Sequence, residues 1–229
     1  MARQTAISIN TIPIGPLGII GMPGCEELTD KIDKYLVKWR KTQASEHAES
    51  IAFFGYQRDT YKIDVSIPRF GSGEGKGVIN ESVRGYDIYI VCDVFNYSCS
   101  YDMYGRKVYM SPDDHFADLK RVISALCSKP KRVSVIMPML YEGRQHKRSS
   151  RESLDCAMAL KELVHLGVEN IITFDAHDQR VQNAIPDKSF ENVMPTYQMI
   201  KALVNNVEDL NVDKDHLMII SPDEGALHR

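Results

Sequence analysis

Apolar residues recur at three- and four-residue spacing in some stretches of the chain and bunch together in others. Between positions 26 and 41, Leu28, Ile32, Tyr35, Leu36 and Trp39 form one stripe, which predicts an amphipathic helix. Lys38, Arg40 and Lys41 at its end suit the negative end of the helix dipole. Phe116, Leu119, Val122, Ile123 and Leu126 repeat the pattern over 113–129. Further helices are expected over 153–167, closed by Gly167 as a C′ glycine, and over 195–205. Strands are expected near 18–20 and over 61–67, 86–93, 132–139, 170–174 and 217–221. The glycine-dense run 69–77 reads as a turn or flap between two strands. Residues 1–22 otherwise read as an irregular arm, 42–60 as a polar stretch without assignment, and 94–112, with four tyrosines, as an irregular insert.

From residue 113 the order is helix, strand, helix, strand, helix, strand. That alternation predicts an α/β fold with a parallel sheet and helices on its faces. In such a sheet all strand C-termini share one edge, and ligands bind there, most often where the strand order reverses. Three strand ends carry charge. Residues 142–148 follow one and are basic, with Arg144, Lys147 and Arg148. Asp175, His177 and Asp178 follow the next, and Asp223 and Glu224 follow the third. A basic clamp facing carboxylates and an imidazole suits a phosphate-bearing substrate with a divalent cation, because guanidinium groups neutralise phosphate oxygens and carboxylates hold a hard metal. The competing reading is ordinary solvated polarity where strands meet water.

Composition narrows the classes. The 229 residues suffice for one large α/β domain or two small ones, and 43% hydrophobic content supports a packed core. A net charge of −3 gives no general attraction to nucleic acid or membrane. The five cysteines are scattered, odd in number and form no CxxC pair, so neither a zinc site nor a disulfide framework is expected, in keeping with a reducing cytoplasmic compartment. No apolar run reaches the roughly 20 residues that span a bilayer.

Five segments, in order, resemble the ribose-phosphate pyrophosphokinase family. Arg69-Phe-Gly-Ser-Gly-Glu74 is similar to the family's Arg-Phe-Ser-Asp-Gly-Glu flap, and Glu81-Ser-Val-Arg-Gly85 is unchanged. Glu142-Gly-Arg-Gln-His-Lys147 resembles the Tyr-Ala-Arg-Gln-Asp-Arg loop, and Phe174-Asp-Ala-His-Asp178 the Val-Asp-Leu-His-Ala segment. Ser221-Pro-Asp-Glu-Gly-Ala226 resembles the Ser-Pro-Asp-Ala-Gly-Gly turn.

The resemblance implies transfer of a diphosphoryl group from ATP to ribose 5-phosphate with Mg²⁺. It implies two phosphoribosyltransferase-like halves, expected here as 1–178 and the start of a truncated second copy over 179–229. It also implies a homo-oligomer in which the 69–77 flap lies near a neighbouring subunit. By the same resemblance Arg144, Gln145, Phe70 and Glu74 contact ATP, Asp175 and His177 bind metal, and Asp223 lies at the pentose phosphate. Asp187 and Glu191 fall near two further family carboxylates with slipped spacing. No catalytic residue is assigned, because the family's loop lysine is expected beyond Arg229, the last residue of the sequence.

Departures are His146 for an aspartate, Asp178 for a small residue, and Gly71 and Ser72 in the flap. The family's lysine-and-arginine loop and its acidic phosphate loop are not found in this sequence, which leads to the expectation of a fragment with little activity alone. The departures also point to an alternative, a non-catalytic regulatory subunit. A phosphoribosyltransferase would need the acidic loop, and a purely structural protein would not need such polar strand ends.

Overall fold

Ile88, Ile90, Val133, Val135 and Ile171 are all buried, and they belong to strands that run side by side in one sheet. The computed structural model describes residues 13–46, 57–208, 210–221 and 223–224. In chain order the elements are β1 (Leu17–Gly21), α1 (Glu26–Glu46), β2 (Val65–Ser66), β3 (Val78–Ile79), β4 (Asp87–Val91), β5 (Ser100–Met103), β6 (Arg106–Tyr109), α2 (Pro112–Ala125), β7 (Arg132–Met137), α3 (Asp155–His165), β8 (Asn170–Phe174), β9 (Ser189–Val193) and α4 (Thr196–Asn206). A 3₁₀ turn, Gln179–Ala184, lies between β8 and β9.

Five strands pair in the order β1-β4-β7-β8-β9, every pair parallel. Side chains alternate across the sheet, so it is covered on both faces. On one face Ile20, Ile90, Val135 and Ile171 pack with Phe116, Leu119 and Val122 of α2 and Leu160 and Leu163 of α3. On the other, Ile19 and Val91 pack with Ile32, Leu36 and Val37 of α1. At β1 the Ile19 amide donates to the Tyr61 carbonyl and the Ile63 amide to the Ile19 carbonyl, so residues 61–63 run along the edge opposite β4. The chain therefore moves one way from β1 and the other way from β4 onward, and the strand order reverses between these two.

Several expected elements change. α1 runs a turn further than position 41, so Lys38, Arg40 and Lys41 are not at its end. The strand expected over 61–67 reduces to the bridge at Lys62 and the two residues of β2, which pair antiparallel with β3 across the flap. The insert at 94–112 is ordered as the β5–β6 hairpin. Tyr104 and Gly105 at its tip have φ of 49° and 74°, the pair of left-handed residues that a tight two-residue hairpin turn requires. β9 has no counterpart among the expected strands, and it carries the first compact unit to Val193, past the boundary expected after Asp178.

Residues 194–229 form the second unit. The strand expected over 217–221 is absent there, with Met218, Ile219 and Ile220 exposed. A strand needs a neighbour for its amides and a layer for its side chains, and an apolar run alone supplies neither. Arg229, beyond which the family's loop lysine is expected, lies outside the described residues. No described helix is long and apolar enough to cross a membrane.

α2 begins with a reciprocal cap. The Ser111 hydroxyl accepts from the Asp114 amide while Asp114 accepts from the Ser111 amide. Ser111→Ala should lower stability by about 1 kcal/mol in a denaturant titration, with an unchanged slope.

Candidate functional site

Arg144, Gln145, Asp175 and His177 follow the tips of β7 and β8, which are neighbours in the sheet. After β7 the chain turns sharply. Tyr141 stacks on Phe116 of α2 with ring centroids 4.3 Å apart, and its hydroxyl donates to Asp113 at 2.6 Å. Glu142 takes a left-handed φ of 54°, and the Gly143 and Gln145 amides donate back to Leu140 and Glu142. Burial, with Asp155 and Asp113 nearby, pushes the Glu142 carboxyl above its ordinary value. This turn leaves Arg144 exposed. Gln145 is spent on the loop itself, its side-chain amide donating to the Ser153 carbonyl at 2.8 Å.

After β8, Asp175 has a φ of 43°, and its amide donates to the Val193 carbonyl of β9. A left-handed aspartate at a strand end is tolerated where neighbouring bonds enforce it. Ala176 is fixed by the side chain of Asn192, at 2.8 Å. Asp175 and His177 are both exposed. Asp178 caps the 3₁₀ turn by accepting from the Arg180 amide at 2.8 Å, and it also accepts from the Arg180 guanidinium at 2.5 Å. These bonds from Arg180 hold the Asp178 carboxyl far below its ordinary value. The two tips meet through His146, whose Nε2 lies 3.3 Å from Asp178 Oδ2 and whose ring centroid is 5.2 Å from that of His177.

The flap is held elsewhere on the first unit. Arg69 at its root donates to buried Asp118 of α2 at 2.5 Å and stacks 4.4 Å over the Tyr101 ring of β5. Arg121 donates to the other Asp118 oxygen at 2.5 Å. The Tyr104 amide donates to the Gly71 carbonyl, which ties the hairpin to the flap. Phe70 is 58% exposed, and Glu74 accepts from the Ser72 hydroxyl. Asp223 belongs to the second unit. Glu191 lies on β9. The described residues stop at Glu224, so they contain no counterpart of the loop lysine expected past Arg229, and no catalytic side chain is assigned from them.

The point where strand order reverses is closed by the chain's own loops. Asn96, after β4, donates to the Gly24 carbonyl, after β1, at 3.0 Å. Gly24 has a φ of 86°, and a Cβ there would come within 2.5 Å of the Asn96 amide. Cys25 accepts from the Asp93 amide, and burial pushes its thiol up to about 11. Glu26 and Glu27 in the first turn of α1 make that helix end unsuited to an anion. The candidate site therefore lies further along the sheet.

Sequence reasoning missed two features. The spacing of Asp118 and Arg121, one turn apart on a helix, was visible, but nothing pointed to Arg69 as their partner. His146 and Asp178 were each noted as departures, and only the adjacency of β7 and β8 makes them a pair.

Fold and tips together define a parallel α/β domain with basic and carboxylate side chains at adjacent strand ends. Residues 17–167 match the N-terminal domain of ribose phosphate pyrophosphokinase, and the chain belongs to that family. Curated relatives include ribose-phosphate pyrophosphokinases of Vibrio parahaemolyticus, 25% identical over 169 residues, and of Aquifex aeolicus, 25% identical over 171 residues. Each match covers 72% of this chain, and 47% and 48% of the respective relative. The chain thus spans about half the length of the curated relatives it matches. In fold it is similar to phosphoribosylpyrophosphate synthetase from Mycobacterium smegmatis, with a TM-score of 0.60 and 18% identity over 83% of this chain and 52% of that one.

Two outcomes follow from the geometry. Asp118→Ala strips the buried anion from Arg69 and should cost about 3 kcal/mol. Trypsin should then cut at Arg69 or Lys76 faster than in the parent, read as flap fragments by mass spectrometry. For Asp178, a depressed folded value means its stabilisation is complete above about pH 4, the ordinary aspartate value, and is lost as pH falls through the lower folded value. Asp178→Asn should flatten that acid limb of a stability-against-pH curve.

Proposed function

We propose that the protein takes part in the transfer of a diphosphoryl group from ATP to ribose 5-phosphate, giving phosphoribosyl pyrophosphate and AMP. The observation that supports this best is the adjacency of the β7 and β8 tips, with Arg144 on one and Asp175 and His177 on the other. In the reaction the anomeric hydroxyl of the pentose attacks the β-phosphorus. An oxygen–phosphorus bond forms there, the bridge to the α-phosphorus breaks, AMP leaves, and the hydroxyl proton passes to solvent or a nearby base. Such chemistry needs positioning and charge neutralisation more than covalent help.

Arg144 is exposed and free of salt bridges among the described residues, and its fork matches phosphate oxygens. Gln145 acts mainly by shaping the loop. Mg²⁺ is usually held by one or two carboxylates completed by phosphate oxygens. Asp175 would supply such a carboxylate beside His177, an imidazole less suited to so hard a cation, and among the described residues no group of three or more His, Cys, Asp or Glu side chains is placed to hold an ion. When bound, Mg²⁺ would offset the charge building on the phosphate oxygens. Phe70 and Glu74 are proposed to meet the adenine of a neighbouring subunit in a homo-oligomer, and Asp223 to approach the pentose phosphate. Residues from 194 onward are proposed as the start of a second domain of the same kind, the boundary following the division after Val193 rather than Asp178.

A second reading, a non-catalytic family subunit, draws on the engaged Gln145 amide and on His146 and Asp178. Equilibrium binding of a fluorescent ATP analogue with Mg²⁺ and an AMP-release assay with ribose 5-phosphate separate the readings. Arg144→Ala should weaken the analogue at least tenfold, the value of one charge-assisted hydrogen bond. Binding that is absent, or indifferent to Arg144, overturns the nucleotide reading. Binding without AMP release, in the protein together with its natural partners, favours the non-catalytic subunit.

A further inference from the structure

Neither His146 nor Asp178 is expected at its position from the family pattern, yet they face each other across the gap between two strand tips. Both are nearly enclosed, with side chains 11% and 13% exposed. Asp178 is engaged at both carboxylate oxygens. One oxygen caps the 3₁₀ turn through the Arg180 amide, and the other accepts from the Arg180 guanidinium. His146 faces an acceptor at each ring nitrogen, so the neutral ring donates to one of them and only the imidazolium to both. Nε2 points at Asp178 Oδ2, and Nδ1 lies 3.1 Å from the Arg144 carbonyl. A continuous line of polar contacts thus runs from Arg180 through Asp178 and His146 to the backbone of Arg144.

We propose that Asp178 is a positioning residue for the Arg144 loop, acting through His146, and that the two residues are a compensated exchange. In the family motifs this chain resembles, an aspartate stands where this chain has His146 and a small residue where it has Asp178. Here the carboxylate comes from the β8 side and the loop supplies the imidazole. The corner keeps one carboxylate while its owner changes. Either half of the exchange alone is unfavourable. An aspartate at position 146 would set a second carboxylate facing Asp178, and alanine at 178 would leave His146 facing a gap. The proposal rests on the nucleotide reading for its functional consequence. The coupling of the two side chains does not depend on that reading.

The test is a double-mutant cycle on the full chain with Asp178→Ala, His146→Asp and the two combined. Two readouts are taken for each protein, the dissociation constant of a fluorescent ATP analogue with Mg²⁺ and the midpoint of thermal unfolding. Each single change should weaken the analogue by about five- to tenfold, and the double should return to within about threefold of the parent. Asp178→Ser keeps a side chain that caps helical turns well but is too short to reach His146. It should weaken binding like Asp178→Ala if the residue positions the loop, and leave binding unchanged if it only caps the turn.

Additive losses in the cycle, or an unaffected Asp178→Ser, overturn the proposal. If the parent binds no analogue, the nucleotide reading fails on its own, and the unfolding midpoints still decide the coupling. A double variant no less stable than the better single supports the pair, and additive destabilisation refutes it. Should His146→Asp not fold, the cycle is run with His146→Ala and Asp178→Ala, where non-additive losses support the pair and additive losses refute it.

Discussion

When every strand of a sheet points the same way, all the loops that follow them leave from one rim, and the pairing order decides which loops are neighbours. Here that constraint brings the turn after β7 against the turn after β8. The rim is rigid because both faces of the sheet are covered and the strands behind it are buried. Local backbone supports the arrangement. Glu142 and Asp175 take left-handed conformations at the two tips, Asp175 tied by its amide to Val193 of β9 and Glu142 within the turn closed by the Gly143 and Gln145 amides. The exposed Arg144 and the exposed Asp175 and His177 are then presented by stiff supports, which suits groups that must meet a highly charged ligand in a fixed geometry.

The flap obeys a different logic. It has only two strand residues on each side, so pairing alone would hold it weakly. Its root is secured by Arg69, trapped between the carboxylate of Asp118 and the ring of Tyr101. Burial raises the Asp118 carboxyl above its ordinary value even with two guanidinium groups beside it, a sign of how dry this anchor is. The β5–β6 hairpin adds a backbone bond to the flap tip. Phe70 consequently stands out from a braced loop.

Much of this was legible in the chain. The Phe116, Leu119, Val122, Ile123 stripe and the valine-rich run of β7 are long and unambiguous, and they were placed within a few residues. The conversion of strand order into a shared edge then put the charged loops in the right neighbourhood. The losses have physical causes. β9 reads Ser-Phe-Glu-Asn-Val, a half-polar strand pairing among the described residues only with β8, and its alternation is too short to stand out. The hairpin hid in a tyrosine-rich stretch, Tyr104 and Tyr109 facing solvent, with its turn marked only by Tyr104-Gly105. Residues 217–221 were apolar enough to look like a strand, but sequence cannot show whether a neighbour is present to pair with them. Long-range partners such as Arg69 with Asp118 are beyond any local pattern.

The Asn96 staple across the reversal point carries a further meaning. In open α/β sheets the gap made by diverging helices is the ready-made cleft, and this chain has sewn it shut with its own side chains. Between β7 and β8 the helices do not diverge, so no hollow comes free with the topology. Whatever is held there is held by walls that loops 140–153 and 175–180 must build for themselves. Selectivity at this rim is therefore written in loop composition, and a handful of exchanges in those two segments can retune it while the architecture underneath stays the same.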